Sequence, residues 1–406
     1  MMDPITAFQK IFEKNKNVQE KILDFIENQE FNENNFQILI SYLEQQRISQ
    51  NKNEFGEILR IISNISANHY RTKDFFVKIE KILLQNRNEI LNYFDSNELF
   101  EIFKISKRIL LFLYENGFIV PNESMFNYFL KSCEYGFEEQ MLYFLPEFEN
   151  YTGKCTDYGI KKAIADFKKN NQKIIEDDRK SGENNDQYMY QLIRNDSIKE
   201  FVIYINETNH SLSETIDFSI YETNPFFYDR KPSLIEYAAF YGSIKIFNYI
   251  NYKENPVINN SLWLCAIHSN SLKMIHLLES LNAEIEDLSS LIIESIKCHH
   301  NDLMKYFLFN FQDQEENYSY FYDHFIKHSN FSGLSDFLSY QSLNEFVKNN
   351  SLPSVFYKYG HRSSLLNILK DKNLTIDINA HFIILKYINL NEISLFQYLT
   401  NKIPHF

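Results

Sequence analysis

The sequence predicts an all-α fold, a solenoid of repeated helical hairpins preceded by a separate helical unit. The chain of 406 residues contains nine glycines and eight prolines, fewer turn residues than a β-sandwich or β-barrel requires. Apolar residues recur at helical spacing, and a two-helix pattern at residues 233–250 returns 28 residues later at 261–278. A single hairpin of this size cannot bury its apolar face alone, so the repetition favours a stacked array.

Residues 1–95 are predicted to form a helical amino-terminal unit. Apolar residues share one face in each of its segments, as Val18, Ile22 and Phe25 do in the first. No fixed period connects these segments. The repeat array is therefore predicted to begin after them and to occupy residues 96–406.

The hairpin at 233–250 has two adjacent alanines, which permit close packing, and Gly242 between its two helices. Glycine readily adopts the left-handed conformation that ends a helix. The copy at 261–278 has Asn270 at the same position, and asparagine also tolerates that conformation. The two-helix pattern is predicted to begin near residue 97, with residues 109–117 as a second helix and its glycine stop. Further copies are predicted at residues 124–145, 188–206, 291–307, 325–338, 356–369 and 384–399.

Two inserts interrupt the predicted array. Residues 170–187 are highly charged and are predicted to form a loop or an exposed helix end. Residues 207–230 are irregular, and in this insert Pro225 is followed by Phe226, Phe227 and Tyr228. Three consecutive aromatic residues outside a helix cannot all point inward, which makes them candidates for contact with a partner. The alternative is that the insert folds over the preceding repeat and covers its core.

Composition excludes several classes of partner. The net charge is −13, from 54 acidic and 41 basic residues, and no long basic run occurs, which argues against nucleic-acid binding. The apolar runs are far shorter than the roughly 20 residues of a membrane span, and the first ten residues lack the apolar core of a signal peptide. Four widely spaced cysteines are typical of a reduced chain. The expected location is the cytoplasm, and the nucleus is left open.

The sequence predicts no catalytic, cofactor-binding or metal-binding residues. It contains neither a Gly-x-Ser-x-Gly motif nor a phosphate-binding loop, so an enzyme is not expected. The residues that suggest a metal site lie near two predicted turns: His268, His276, Cys298, His299, His300 and Asp302. Neighbouring residues on a turn point in different directions, and no pair has the spacing that places two ligands on one face. Polar turn residues between helices are therefore the preferred interpretation.

Ala238, Ala239, Gly242 and the apolar residues that follow resemble the two-helix half of an ankyrin repeat. The chain departs from that pattern at Ser233–Glu236, where ankyrin units usually have Thr-Pro-Leu-His. More narrowly, the string LIEYAAFYGSIKIF at Leu234–Phe247 resembles a divergent ankyrin-repeat family expanded in protozoan parasites, which has an uncharacterised helical amino-terminal region.

This resemblance implies protein binding by analogy with ankyrin arrays. The expected function is a non-catalytic scaffold or adaptor that binds a protein partner on the repeat surface. The acidic balance of the chain favours a partner with a basic surface. One alternative is a regulatory subunit that docks onto an enzyme, and another is an enzyme of unrecognised type.

Overall fold

The fold is described by a computed structural model for residues 4–28, 30–133, 138–155, 158–169, 176–183, 187–217, 219–228, 230–311, 319–338, 356 and 358–361. Regular secondary structure in these ranges is helical, which confirms the all-α prediction. An isolated antiparallel bridge pairs Thr215 with Ser233. The predicted copy at 384–399 and nearly all of the copy at 356–369 lie outside the described residues. Among the described helices, none has the length and apolar character needed to cross a membrane.

The first half of the chain consists of short helices joined by short connections. These helices are α1 (Pro4–Glu27), α2 (Glu33–Gln45), α3 (Lys52–Asn68), α4 (Phe75–Gln85), α5 (Arg87–Tyr93), α6 (Ser96–Phe103), α7 (Lys107–Glu115), α8 (Glu123–Cys133), α9 (Glu138–Tyr143), α10 (Tyr158–Lys169) and α11 (Glu176–Ser181). The last of them lies in the charged insert predicted at 170–187. Short 3-10 helices cover Ile48–Gln50 and Glu149–Lys154.

The second half contains the helices of the predicted hairpins. They are α12 (Tyr188–Arg194), α13 (Ile198–Thr208), α14 (Leu234–Phe240), α15 (Ile244–Glu254), α16 (Asn260–His268), α17 (Leu272–Ser280), α18 (Leu288–Lys297), α19 (Asn301–Phe311), α20 (Ser319–Lys327) and α21 (Phe331–Leu338). A 3-10 helix covers Pro225–Phe227 in the second insert.

Contacts divide the chain into two compact units. One unit combines the described parts of Met1–Ile62 and Met304–Phe406, and the other is Ser63–Leu303. Within the first unit α1 packs against α21, where the Gln19 side chain accepts a hydrogen bond from the Ser332 amide at 3.0 Å. The predicted boundary near residue 95 was drawn where the repeat pattern begins in the sequence. The contacts that define the two units do not test that boundary.

Within Ser63–Leu303 the predicted hairpins at 233–250 and 261–278 contain two helices each. Their first helices pack side by side in chain order, α12 against α14, α14 against α16 and α16 against α18. Ala238 and Ala239 are fully buried, and Trp263 on α16 is 1% exposed. The small alanine side chains let α14 approach its neighbours closely, so this row of first helices forms the core of the unit.

A left-handed residue follows the first helix in four of the described hairpins. It has a φ between 47° and 67° at Asp196, Gly242, Asn270 and His299. At Gly242 the next amide, that of Ser243, donates back to the Ala238 carbonyl at 2.8 Å, an arrangement that satisfies a free carbonyl at the helix end. Ser329 and Gly360 adopt the same conformation, so from Gly242 onward the turn recurs at intervals of 28 to 31 residues.

Candidate functional site

The second insert lies over the first helices of two hairpins. Its 3-10 helix is capped by Asn224, whose side chain accepts a hydrogen bond from the Phe226 amide at 3.0 Å. The Phe227 ring centroid is 4.4 Å from that of Phe240 on α14. The Phe226 ring centroid is 4.3 Å from that of His268 at the end of α16. The insert therefore forms part of the core of this unit.

Two cations, one buried and one partly buried, hold the other side of the insert. The Lys107 ammonium, on a residue that is 4% exposed, donates to the carbonyls of Ile220 at 2.5 Å and Glu222 at 2.9 Å. Arg71 donates to the hydroxyl of Thr223 at 2.9 Å and lies 4.0 Å from the Glu222 carboxylate. A buried charge is costly unless it is hydrogen-bonded, so these contacts fix the insert and satisfy the cations together.

The three residues predicted to contact a partner occupy different surroundings. Phe226 is 3% exposed and Phe227 is 5% exposed, whereas Tyr228 is half-buried and donates its hydroxyl to the Thr223 carbonyl at 3.1 Å. The prediction was that the three rings cannot all point inward. The 3-10 turn directs both phenylalanines toward α14, and Tyr228 remains partly exposed. The alternative interpretation placed the insert over the preceding repeat, whereas the two phenylalanine rings cover α14 and α16, which follow the insert.

A buried polar cluster lies next to Phe226 and joins two neighbouring hairpins. His268 Nε2 is 2.7 Å from Glu294 Oε1 on α18, and the Lys297 ammonium donates to the same oxygen at 2.9 Å. Cys298 Sγ is 3.5 Å from His268 Nδ1 and 3.7 Å from Nε2. His268 is 2% exposed and Cys298 is fully buried. We refer to His268, Glu294, Lys297 and Cys298 as the polar cluster.

Burial and charge set the protonation of the polar cluster. Burial disfavours the Glu294 carboxylate, but Lys297 and His268 outweigh this effect and hold the pKa of Glu294 below its usual range. Burial lowers the pKa of His268 and raises the pKa of the Cys298 thiol well above its usual value. At neutral pH the imidazole is neutral and the thiol is protonated. Because a carboxylate oxygen can only accept, His268 Nε2 carries the imidazole proton in this arrangement.

A cavity of about 70 Å³ adjoins His268. Polar side chains contribute much of its lining, among them His69, Arg71, Asn224, His268 and Ser269. His69 also donates from Nδ1 to the backbone carbonyl of Cys298, at 2.7 Å, if that nitrogen carries its proton. The cavity exceeds the volume of a water molecule and has polar partners for one. Water or a small solute in the cavity would therefore reach the imidazole of His268.

The structure brings two of the predicted metal-ligand candidates together and adds a third residue that the sequence analysis did not include. His268 and Cys298 come together with Glu294, and the ligand atoms of these three residues lie within 4.8 Å of one another. His276 is instead exposed on α17, where its Nδ1 is 2.7 Å from Glu279. The His300 Nδ1 is 2.8 Å from the Ile267 carbonyl, so it is used in holding the turn to α16.

The expectation of no metal site was based on sequence spacing, because no two candidates were spaced to lie on one helix face. Glu294 was not among the candidates, although it precedes Cys298 by four residues and so shares its side of α18. That spacing is a weak signal because carboxylates are common on helices. The third ligand candidate, His268, belongs to a different hairpin, and only the packing of α16 against α18 brings it to the cluster.

No family model matches this sequence, and neither a curated protein nor a solved structure matches it. The case for any function therefore depends on the described residues themselves.

Proposed function

We propose that this chain is a non-catalytic scaffold that binds a protein partner through helical hairpins stacked in an ankyrin-like array. The supporting observation is a left-handed turn that recurs at Gly242, Asn270 and His299. Each turn follows the first helix of a hairpin, and these first helices pack side by side. Each hairpin in such an array adds an equivalent loop to one edge, and an extended edge suits protein recognition.

We assign partner binding to two loops at that edge. Residues 251–259 include the last turn of α15 and the connection after it, and residues 281–287 follow α17. Because each hairpin reverses the chain, these loops lie at the opposite end from the left-handed turns. Tyr252 is 84% exposed and Val257 is 85% exposed. The insert already covers the faces of α14 and α16 near Phe240 and His268, which leaves the loop edge as the better binding surface.

The charge of this loop edge favours a basic partner. Its two loops contain four exposed carboxylates, on Glu254, Glu284, Glu286 and Asp287, against a single lysine, Lys253. Opposite charge on a partner would accelerate encounter and select among competing surfaces. Salt screens such exposed charges, so binding is expected to weaken as ionic strength rises.

Affinity purification of the tagged full-length chain from an extract of its own cells, at low and moderate salt, tests this proposal. The variant with Tyr252→Lys and Val257→Lys together removes the exposed apolar side chains and opposes the acidic charge of the edge without touching the core. Tyr158→Lys is the matched control, because Tyr158 is 81% exposed on α10 in the same unit. We expect one stoichiometric partner with the wild type and the control, and its loss with the double variant.

Two outcomes would count against the proposal. Retention of the partner by the double variant would exclude the loop edge, and recovery of no partner at either salt concentration would oppose the scaffold function. A partner that is an enzyme, and whose rate changes when the chain is added, would support the regulatory-subunit alternative instead.

A further inference from the structure

We infer that His268, Glu294 and Cys298 form a binding site for a thiophilic divalent metal ion, for which Zn²⁺ is the best suited. The site is independent of the proposed binding edge. It uses side chains from two hairpins, so a bound ion would link α16 to α18.

The distances among the three side chains are close to those of a tetrahedral site. Zinc bonds to nitrogen, oxygen and sulfur of about 2.0–2.3 Å place neighbouring ligand atoms roughly 3.2–3.6 Å apart. His268 Nε2 is 3.7 Å from Cys298 Sγ and 2.7 Å from Glu294 Oε1, and all ligand atoms lie within 4.8 Å of one another. Small side-chain movements, without a change in the helices, would complete the geometry.

The chemistry of the donors selects the class of ion. A thiolate and an imidazole prefer zinc and similar transition metals over Mg²⁺ or Ca²⁺, which prefer oxygen ligands alone. His268 also lines the cavity of about 70 Å³, so space large enough for a water molecule adjoins the imidazole of this site. The rings of Phe226 and Phe240, 4.3 Å and 4.8 Å from the imidazole by centroid, limit its rotation and so orient it.

Lys297 is the cation that faces Glu294 in this structure, at 2.9 Å. A metal ion would replace it as the countercharge of the carboxylate. The Lys297 side chain is 22% exposed, so its ammonium can turn to solvent. On binding, the Cys298 S–H bond breaks, the thiolate bonds to the metal, and the proton is released to solvent. The imidazole stays neutral, because its proton moves from Nε2 to Nδ1 when Nε2 becomes the ligand.

Titration of the chelator-treated full-length chain with Co²⁺ tests the site, since Co²⁺ replaces Zn²⁺ and reports thiolate ligation by a charge-transfer absorption band. We expect one equivalent to saturate this band and Zn²⁺ to displace it. Cys298→Ser is expected to abolish the band, and His268→Gln to weaken binding at least about tenfold. Cys265→Ser is the control, because Cys265 is also buried on α16 but lies outside the ligand set.

Absence of saturable Co²⁺ binding to the wild type would overturn the inference, as would a band that persists in Cys298→Ser or disappears in Cys265→Ser. Circular dichroism shows whether each variant folds. If Cys298→Ser does not fold, X-ray absorption of the zinc-loaded wild type decides. One sulfur with nitrogen and oxygen neighbours supports the site, and any other sulfur count contradicts it.

Discussion

Several histidines of this chain occupy surroundings that disfavour their charged form. His361 is fully buried, its Nε2 is 2.9 Å from the Ile326 carbonyl, and the ring of Phe331 meets its ring edge-on at 5.2 Å. Burial, with a smaller contribution from Arg60, lowers the pKa of His361 to about 3. A neutral imidazole with its proton on Nε2 can donate a hydrogen bond to the Ile326 carbonyl. His361 therefore contributes to the packed structure in its neutral form.

His361 should make the protein acid-sensitive. The unfolded chain takes up a proton near the ordinary histidine pKa of 6.5, whereas the folded chain does so only near 3, so the free energy of unfolding falls as pH drops through this range. We expect this residue alone to lower that free energy by about 2 kcal/mol between about pH 7.5 and pH 5. Urea denaturation of His361→Gln at both pH values should show a correspondingly smaller decrease.

The matched control for this experiment is Phe356→Leu, because Phe356 is fully buried near His361 but does not titrate. It should lose stability and keep the pH dependence of the wild type. An equal pH dependence in His361→Gln and the wild type would show that His361 titrates alike in the folded and unfolded chains.

Gly242 is the residue on which the clearest hairpin turn depends. Its φ is 67°, and a Cβ at this position would meet the Cβ atoms of Ser269 at 3.3 Å and Ser271 at 3.4 Å. We expect Gly242→Ala to lower the free energy of unfolding by roughly 1–2 kcal/mol, the cost of a left-handed residue with a side chain. Gly153→Ala is the control, since nothing lies within 4 Å of its added Cβ. Equal denaturation midpoints for the two variants would contradict this interpretation.

At the scale of elements, the insert at 207–230 behaves as a part of the core. It contributes two buried rings on one side and accepts hydrogen bonds from Lys107 and Arg71 on the other. A segment that serves only as a flexible partner-binding arm would not need a buried lysine to hold its carbonyls. The insert therefore completes the row of first helices that it interrupts in sequence.

Phe227→Ala measures this contribution. The ring packs against Phe240 at 4.4 Å and Tyr237 at 5.7 Å, and we expect its removal to cost about 3–5 kcal/mol of unfolding free energy in chemical denaturation. Tyr252→Ala, at a residue that is 84% exposed, should change stability by no more than about 0.5 kcal/mol. If Phe227→Ala left stability unchanged but removed a partner, the result would support the prediction that Phe227 contacts a partner.

At the scale of the whole molecule, the features that can be predicted from the sequence are those set by interactions between residues close together in the chain. Scarce turn residues and helical spacing predict the all-α class, and the alanine pair with Gly242 predicts a hairpin, because each signal acts within a few residues. The polar cluster has no such signal, since His268 and Glu294 meet only when α16 packs against α18. The inward direction of Phe226 likewise has no local signal, because its ring contacts Phe240 and His268 on two later helices. Lys107, which is distant in sequence, holds the same insert through two backbone carbonyls.

The division into two compact units leads to a prediction about fragments. Ser63–Leu303 is continuous in sequence, so residues 52–311, which keep α3 and α19 whole, should fold alone and show one cooperative thermal transition by circular dichroism. Residues 1–62 should not, because α1 packs against α21, where Gln19 bonds to both Asn330 and Ser332. A cooperative transition in the short fragment would show that α1 needs no partner, and a broad, gradual loss of helix in the long one would mean that residues 63–303 depend on the rest of the chain.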